Sequence, residues 1–546
     1  MIAENFVSTR GQAPAVTAKT AIVQGLAADG GLFVPAQLPT NQFSPDQFVG
    51  QSYQDIARTI LGTVFPDFTE AELAAAVTGA YGPKWDTDEI TPLTALGQQH
   101  LLELYHGPTS AFKDVALTIL PHLLKTAYAS SGSQKTVYIL TATSGDTGKA
   151  ALEGFKDVPD TFVTVFYPSE GVSAVQQRQM QTTTGNNVEV VGLQGNFDDC
   201  QRLVKDCYED AELIGAFPGV QFSSANSINV GRLFPQVVYY FKAYADLVVR
   251  EVVRAGEAVN FAVPTGNFGN ILAGYFAKQL GCPIGQLICA SNQNNVLTEF
   301  LRTGRYDANR PFYTTMSPSM DILVSSNLER LLYLASDGDA ELVAGLMKQL
   351  AEDGTYQISP ELLAKLQETF VAYDCSEAQC ADAIKQAWEE HGRLIDPHTA
   401  VGWHAALAHE AEGGRAAQEA QTGKGVRSAN VTQGDETRDA QAAPQARPAT
   451  PPTVVLSTAS PYKFAADVLA AIAPAGEPAN TEIPAADLPA AQAFAALSAL
   501  EKLTGEAIPP NLAETEKLPI LHQRQLPKDA GRQVVTERLE VLNAAH

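Results

Sequence analysis

From residue 92 onward, short runs of apolar and β-branched residues alternate with stretches whose apolar positions recur at helical spacing. Residues 137–140 form such a run ahead of a helical pattern at 148–155; 162–166 is a second run, and 188–191 precedes a helical pattern at 198–208. A long helix is expected over 231–249, a strand at 259–263 before a helix at 270–280, and another strand at 286–290. Runs that are apolar along their whole length, each followed by an amphipathic helix, are what a parallel sheet covered on both faces requires. The expected fold class is α/β, with parallel sheets flanked by helices.

Residues 1–92 carry a different pattern, with helical periodicity around 46–61 and 69–78 and glycine-containing turns at 8–11 and 27–35. This predicts a separate, mostly helical N-terminal domain, with Pro92 at its boundary and a catalytic region over 93–410. Between 411 and 452 the periodicity disappears: no aromatic residue, Leu or Ile occurs there, and Ala, Gln, Gly, Thr and charges dominate. Such a stretch has too few apolar groups to offset the entropy of ordering it, so a disordered insertion is expected. A strand pattern resumes at 453–456 and leads into a helix reaching residue 472, making 453–546 the C-terminal part of the catalytic region.

Composition narrows the functional classes. A formal net charge of −24 on 546 residues offers no basic face for nucleic acid or an anionic membrane, so neither is an expected partner. The six cysteines include no C-x-x-C pair, which favours reduced core thiols and argues against a metal site. The first residues have no apolar signal core, and no run of about 18 apolar residues occurs, so a cytoplasmic protein is expected.

Candidate chemistry centres on H-G-P-T-S-A-F-K-D-V-A-L at 106–117. Gly107 and Pro108 punctuate the backbone, Thr109 and Ser110 can cap a helix, and Phe112, Val115, Ala116 and Leu117 surround the stem of Lys113. A lysine desolvated in this way loses proton affinity and gains a free lone pair for attack on a carbonyl.

Three later turns share one chemical character: T-A-T-S-G-D-T-G-K at 141–149, P-T-G-N-F-G-N at 264–270 and S-T-A-S-P-Y-K-F at 457–464. Turns after parallel strands line the crevice where ligands bind, and free N–H groups at helix starts favour anions there. Gly266 and Gly269 permit close approach of a phosphate, while Asn267 and Asn270 add donors. The 141–149 turn departs from a nucleotide P-loop, since Thr143 replaces the first glycine and Ala150 follows the lysine. Its remaining role is to hold a small carboxylate or phosphate through Ser144, Asp146, Thr147 and the N–H groups of Gly145 and Gly148, with Asp146 as a helix cap the alternative. A fourth cluster, S-S-A-N-S-I-N-V-G-R at 223–232, adds Asn229 and Arg232. A reactive amine together with several anion-binding turns suggests pyridoxal phosphate, whose aldehyde bonds a lysine and whose phosphate anchors it.

These motifs, with S-T-R-G at 8–11 and D-G-G-L-F-V-P at 29–35, occur in the order found in threonine synthases, and the chain resembles that family of fold-type II pyridoxal-phosphate enzymes. The resemblance covers nearly the whole chain outside 411–452. It implies that Lys113 bonds the cofactor, that Gly266, Asn267, Phe268 and Asn270 hold its phosphate, and that Thr458 faces its ring nitrogen. It also implies β,γ-replacement on O-phospho-L-homoserine, the last step of threonine biosynthesis, in a monomer or homodimer. The substrate's own phosphate then needs a second anion site, for which Ser144, Thr147, Lys149, Asn229 and Arg232 are the candidates. One motif departs from the family, which reads T-A-H-P-A-K-F where this chain has Ser460 and Tyr462. The alternatives are a related lyase that releases a 2-oxo acid and a non-catalytic anion or nucleotide sensor.

Overall fold

The computed structural model describes residues 5–132, 135–143, 145–169, 172–423, 451–473 and 488–544. Its N-terminal layer holds the helices Ala18–Gln24, Tyr53–Val64 and Glu70–Ala80. Each starts at a hydroxyl: Thr17, Ser52 and Thr69 accept from the third backbone N–H beyond them, and Thr69 and Glu72 complete a reciprocal capping box. The cap at Ser52 explains why the second helix begins seven residues later than the expected 46. The layer is not separate in its packing. Phe65 and Phe6 meet Phe234 edge to face at 5.6 and 6.2 Å, which joins this layer to the main core.

Two sheets follow. The larger has the order Phe370–Asp374, Ile284–Ser291, Val259–Pro264, Thr453–Ser457, Gln99–Glu103, Leu93–Leu96. All its pairs are parallel except the last. The smaller is parallel throughout, in the order Gln525–Pro527, Val188–Gln194, Thr161–Pro168, Thr136–Ala142, Val220–Ser223. Thr453–Ser457 is central to the larger sheet: Val455 pairs with Leu101 on one side and Ala262 on the other, and every residue of the strand is buried. The C-terminal ends of strands from both sheets carry the polar turns, so strand polarity gathers the turns of each sheet at one end.

Two expectations need correction. The single helix expected over 231–249 is three pieces, Val230–Leu233, the 3-10 turn Phe234–Gln236 and Val237–Val249, because Pro235 supplies no N–H and its ring blocks the preceding turn. The disordered insertion was expected from 411, yet the helix Pro397–Gly423 runs twelve residues past that point. The sequence there, A-E-G-G-R-A-A-Q-E-A-Q-T-G, lacks large apolar groups but is rich in helix formers, which extend a helix already nucleated against the sheet. Residues 424–450 of the expected insertion lie outside the described residues. All six cysteines are buried and unpaired, and among the described residues no helix is long and apolar enough to cross a membrane.

Candidate active site

The turns enclose a cavity of about 250 Å³. Lys113 reaches it from the first residue before the short helix Asp114–Leu117. Its loop is fastened to the last motif: Phe112 N–H donates to the Thr458 carbonyl at 2.8 Å, Ser460 N–H donates to the Ser110 carbonyl at 3.1 Å, and Ala111 bridges Ala459. Ser110 takes a left-handed φ of 58° to allow this. Burial lowers the Lys113 pKa to about 8; Arg232 and Lys463 add to the effect and Asp146 opposes it. Next to it, Asp114 accepts from the Thr109 N–H and hydroxyl at 2.8 and 2.6 Å, and burial pushes its carboxyl up to about 6.

The 264–270 turn forms a second wall. Phe268 has φ 62°, and the helix it opens, Gly269–Leu280, has no side-chain cap, which leaves its first N–H groups without an acceptor from that position. A Cβ at Gly266 would lie 2.9 Å from the Ser319 carbonyl, so only glycine fits this approach. Asn327 donates to the Asn267 carbonyl through its N–H and its amide, and Ser325 donates to the Gly266 carbonyl at 2.8 Å. Tyr239 and Tyr240 donate to Asn270 Oδ1 at 2.6 and 3.0 Å, while Asn270 Nδ2 is buried with no partner. Arg232 is likewise buried: one nitrogen donates to the Ala225 carbonyl at 2.8 Å, its Nε has no partner, and burial lowers its pKa to about 10. Buried donors without acceptors, a glycine that only a close neighbour explains and an uncapped helix start together fit a phosphate-bearing cofactor.

The structure sorts the sequence-based candidates. Lys113, Thr147, Arg232, Gly266, Asn267, Phe268, Asn270 and Thr458 line the cavity together. Lys149 and Asn229 do not line it. Lys149 is tied to Glu153 at 3.1 Å and Thr183 at 3.0 Å, and Asn229 spends its amide on the Ile22 and Ser224 carbonyls and its oxygen on the Gly231 N–H. Ser144 lies outside the described residues. The N–H groups of Gly145 and Gly148 are unavailable to a ligand, because both donate to Thr143 Oγ1 at 2.9 and 3.0 Å. Asp146 caps nothing. It accepts from Gln176 Nε2 at 2.8 Å and pairs with Lys463 at 2.5 Å, and although burial opposes ionisation, Lys463 and Lys113 hold its carboxyl well below the usual range.

Sequence reasoning missed His398, Asp321 and the partnership of Lys463. His398 shares Nδ1 with Asp396 at 2.8 Å and accepts the Ser319 N–H at Nε2 at 3.1 Å, holding the 318–321 wall of the cavity. Its only sequence signal is the D-P-H-T start of a helix.

A family model described as pyridoxal-phosphate dependent enzyme matches residues 90–420, and one described as threonine synthase N terminus matches residues 5–81. Threonine synthase of Pseudomonas aeruginosa is 39% identical over 406 residues, 73% of this chain and 84% of that one. This chain belongs to the threonine synthase family. Human threonine synthase-like 1 is 43% identical over 422 residues, 73% of this chain, but that match spans 56% of the human protein's length. The crystal structure of PLP-bound threonine synthase from Brucella melitensis superposes with a TM-score of 0.78 at 34% identity, covering 99% of each chain. Pyridoxal phosphate is therefore the cofactor of this threonine synthase family member, whose fold is that of the fold-type II enzymes.

Proposed function

We propose that the protein catalyses threonine formation from O-phospho-L-homoserine and water, with release of phosphate. The observation that carries this reading is Arg232, a buried cation on the cavity wall that has an unused donor and no carboxylate partner among the described residues. Cofactor binding alone accounts for one phosphate, held by the 266–270 turn and Asn270 Nδ2. Arg232 suits a second, on the substrate.

When bound, pyridoxal phosphate supplies an electron sink for charge developing on the substrate carbons. Lys113 would be the residue that holds the cofactor aldehyde, and its amine, once free, would be placed to take the α and β protons of the substrate in turn. Burial, which lowers its pKa, favours the unprotonated amine that this role as a base needs. Thr458, on the cavity wall, would offer a hydroxyl to the ring nitrogen, which, unlike a carboxylate, would not hold that nitrogen protonated. In this reading the enzyme works in the cytoplasm at the last step of threonine biosynthesis.

The deciding assay incubates the protein with O-phospho-L-homoserine and measures phosphate, threonine and 2-oxobutyrate together. Equal release of phosphate and threonine is expected. Phosphate accompanied by 2-oxobutyrate in place of threonine would sink the proposal in favour of the related lyase.

A further inference from the structure

Lys463 is buried with its Nζ 2.9 Å from the Thr109 carbonyl and 2.5 Å from Asp146 Oδ1, so one amine ties three motifs together. It stands on the 457–464 turn, Thr109 on the loop that carries Lys113, and Asp146 on the helix that follows the 141–149 turn. Gln176 donates to the same Asp146 oxygen at 2.8 Å, and Ser319 Oγ lies 3.4 Å from the other. Asp146 lines the cavity with Lys113. The charges that act on Lys113 are Asp146, Arg232 and Lys463. Asp321 and His398 line the same cavity, and the neighbouring Asp114 is turned toward Thr109.

We propose that Lys463 is a positioning residue for Lys113: it occupies Asp146 in a buried ion pair and so keeps that carboxylate from capturing the Lys113 amine as an ammonium ion. A carboxylate beside a reactive amine stabilises its protonated form and removes the lone pair that bonding an aldehyde requires. Here a second lysine, which is not among the residues lining the cavity, supplies the balancing charge. Asp146 and Lys463 thus act on Lys113 in opposite senses. The arrangement depends on Lys113 being the amine that bonds the cofactor, but not on which product is released.

The test reads Lys113 directly in protein freed of cofactor by dialysis against hydroxylamine, with circular dichroism as the check on folding. Tracer acetic anhydride is added across a pH series, and acetylation of Lys113 is followed by peptide mass spectrometry to give the titration midpoint of its amine. Lys463→Met should move that midpoint up by about one unit or more, which is about tenfold less free amine at neutral pH. Asp146→Asn should move it down by a similar amount, and the double variant Lys463→Met with Asp146→Asn should return it to within about half a unit of the native value. If Lys463→Met does not fold, Asp146→Asn and the double variant, which removes both buried charges together, still give distinct expectations, a lowered midpoint and a near-native one. An unchanged midpoint in a folded single variant, or a double variant that shifts as far as either single one, would overturn the proposal. Failure of the phosphohomoserine assay with these midpoints as expected would instead fault the reaction assigned to the site.

Discussion

In the proposed reaction Lys113 and Arg232 act by different means, one through an amine whose burial favours the unprotonated form and the other through a buried donor left unused. Lys113→Ala should abolish borohydride trapping of the cofactor on the chain, read by mass spectrometry. Trapping that persisted would place the bond on another lysine. Arg232→Ala should keep the cofactor and any slow reaction with serine, but lose about ten- to a hundred-fold in kcat/KM for phosphohomoserine, the worth of one charged hydrogen bond or more. Lys149→Ala, by contrast, should change kcat/KM by less than about threefold, since its amine is engaged by Glu153 and Thr183 outside the cavity. The sequence grouped Lys113, Arg232 and Asn270 by turn chemistry, which marks a residue locally, and the fold sets all three on one cavity. Lys149 and Asn229, grouped with them by sequence, do not line that cavity, and what occupies them is remote: Thr183 is 34 positions from Lys149, and Ile22 is 207 from Asn229. No local pattern could announce that Asp146 would meet Lys463.

Among the elements, the 264–270 turn has little room to spare. Gly266→Ala drives a methyl group into the Ser319 carbonyl and the Met320 Cα, both backbone atoms, at 2.9 and 3.2 Å. A backbone shift costing about 1–3 kcal/mol should weaken cofactor affinity about ten- to a hundred-fold with the far-ultraviolet spectrum unchanged. Spectrophotometric titration with pyridoxal phosphate measures it. The loop ahead of Lys113 is set by a charge cluster: His106 lies between Asp86 at 2.6 Å and Glu103 at 2.9 Å, and Glu103 also pairs with Arg393 at 2.5 Å. Burial opposes the charge on His106, but both carboxylates raise its pKa from 6.5 to about 9. Its stabilising contribution is therefore complete below about pH 6.5 and is lost as the pH rises through 9. His106→Gln should cost about 1.5–3 kcal/mol at pH 6 and much less at pH 10, measured by urea unfolding of the two proteins at both values. The alternation of strands and helices was legible because buried parallel strands are continuous apolar runs. The break at Pro235 stood in plain view, but the apolar periodicity continues across it. The strand Phe370–Asp374, at the sheet edge, is only five residues long and has a mixed burial pattern, so periodicity gave it no distinct signal.

At the scale of the whole molecule, the N-terminal layer reaches the active site through one helix. Thr9 and Arg10 hold Glu329 at 2.6 and 3.0 Å, and the adjoining Arg330 donates to the carbonyls of Phe33 and Ile228 and to Asn327. Asn327 in turn holds Ser227 and the Asn267 carbonyl, both on the cavity wall. The S-T-R-G and D-G-G-L-F-V-P motifs thus serve the cofactor turn from a distance. The central place of Thr453–Ser457 in the larger sheet bears on how the protein is made. During synthesis, the edges of Val259–Pro264 and Gln99–Glu103 have no partner between them until that late strand leaves the ribosome, so the nascent chain must wait with its largest sheet open and prone to aggregate. The same topology means that the sheet needs the strand but not its covalent tether. Residues 1–423 and 451–546, produced as two chains in one cell, should therefore purify as a complex that binds pyridoxal phosphate, whereas residues 1–423 alone should be insoluble; recovery of a soluble, cofactor-binding 1–423 fragment would show the late strand to be dispensable.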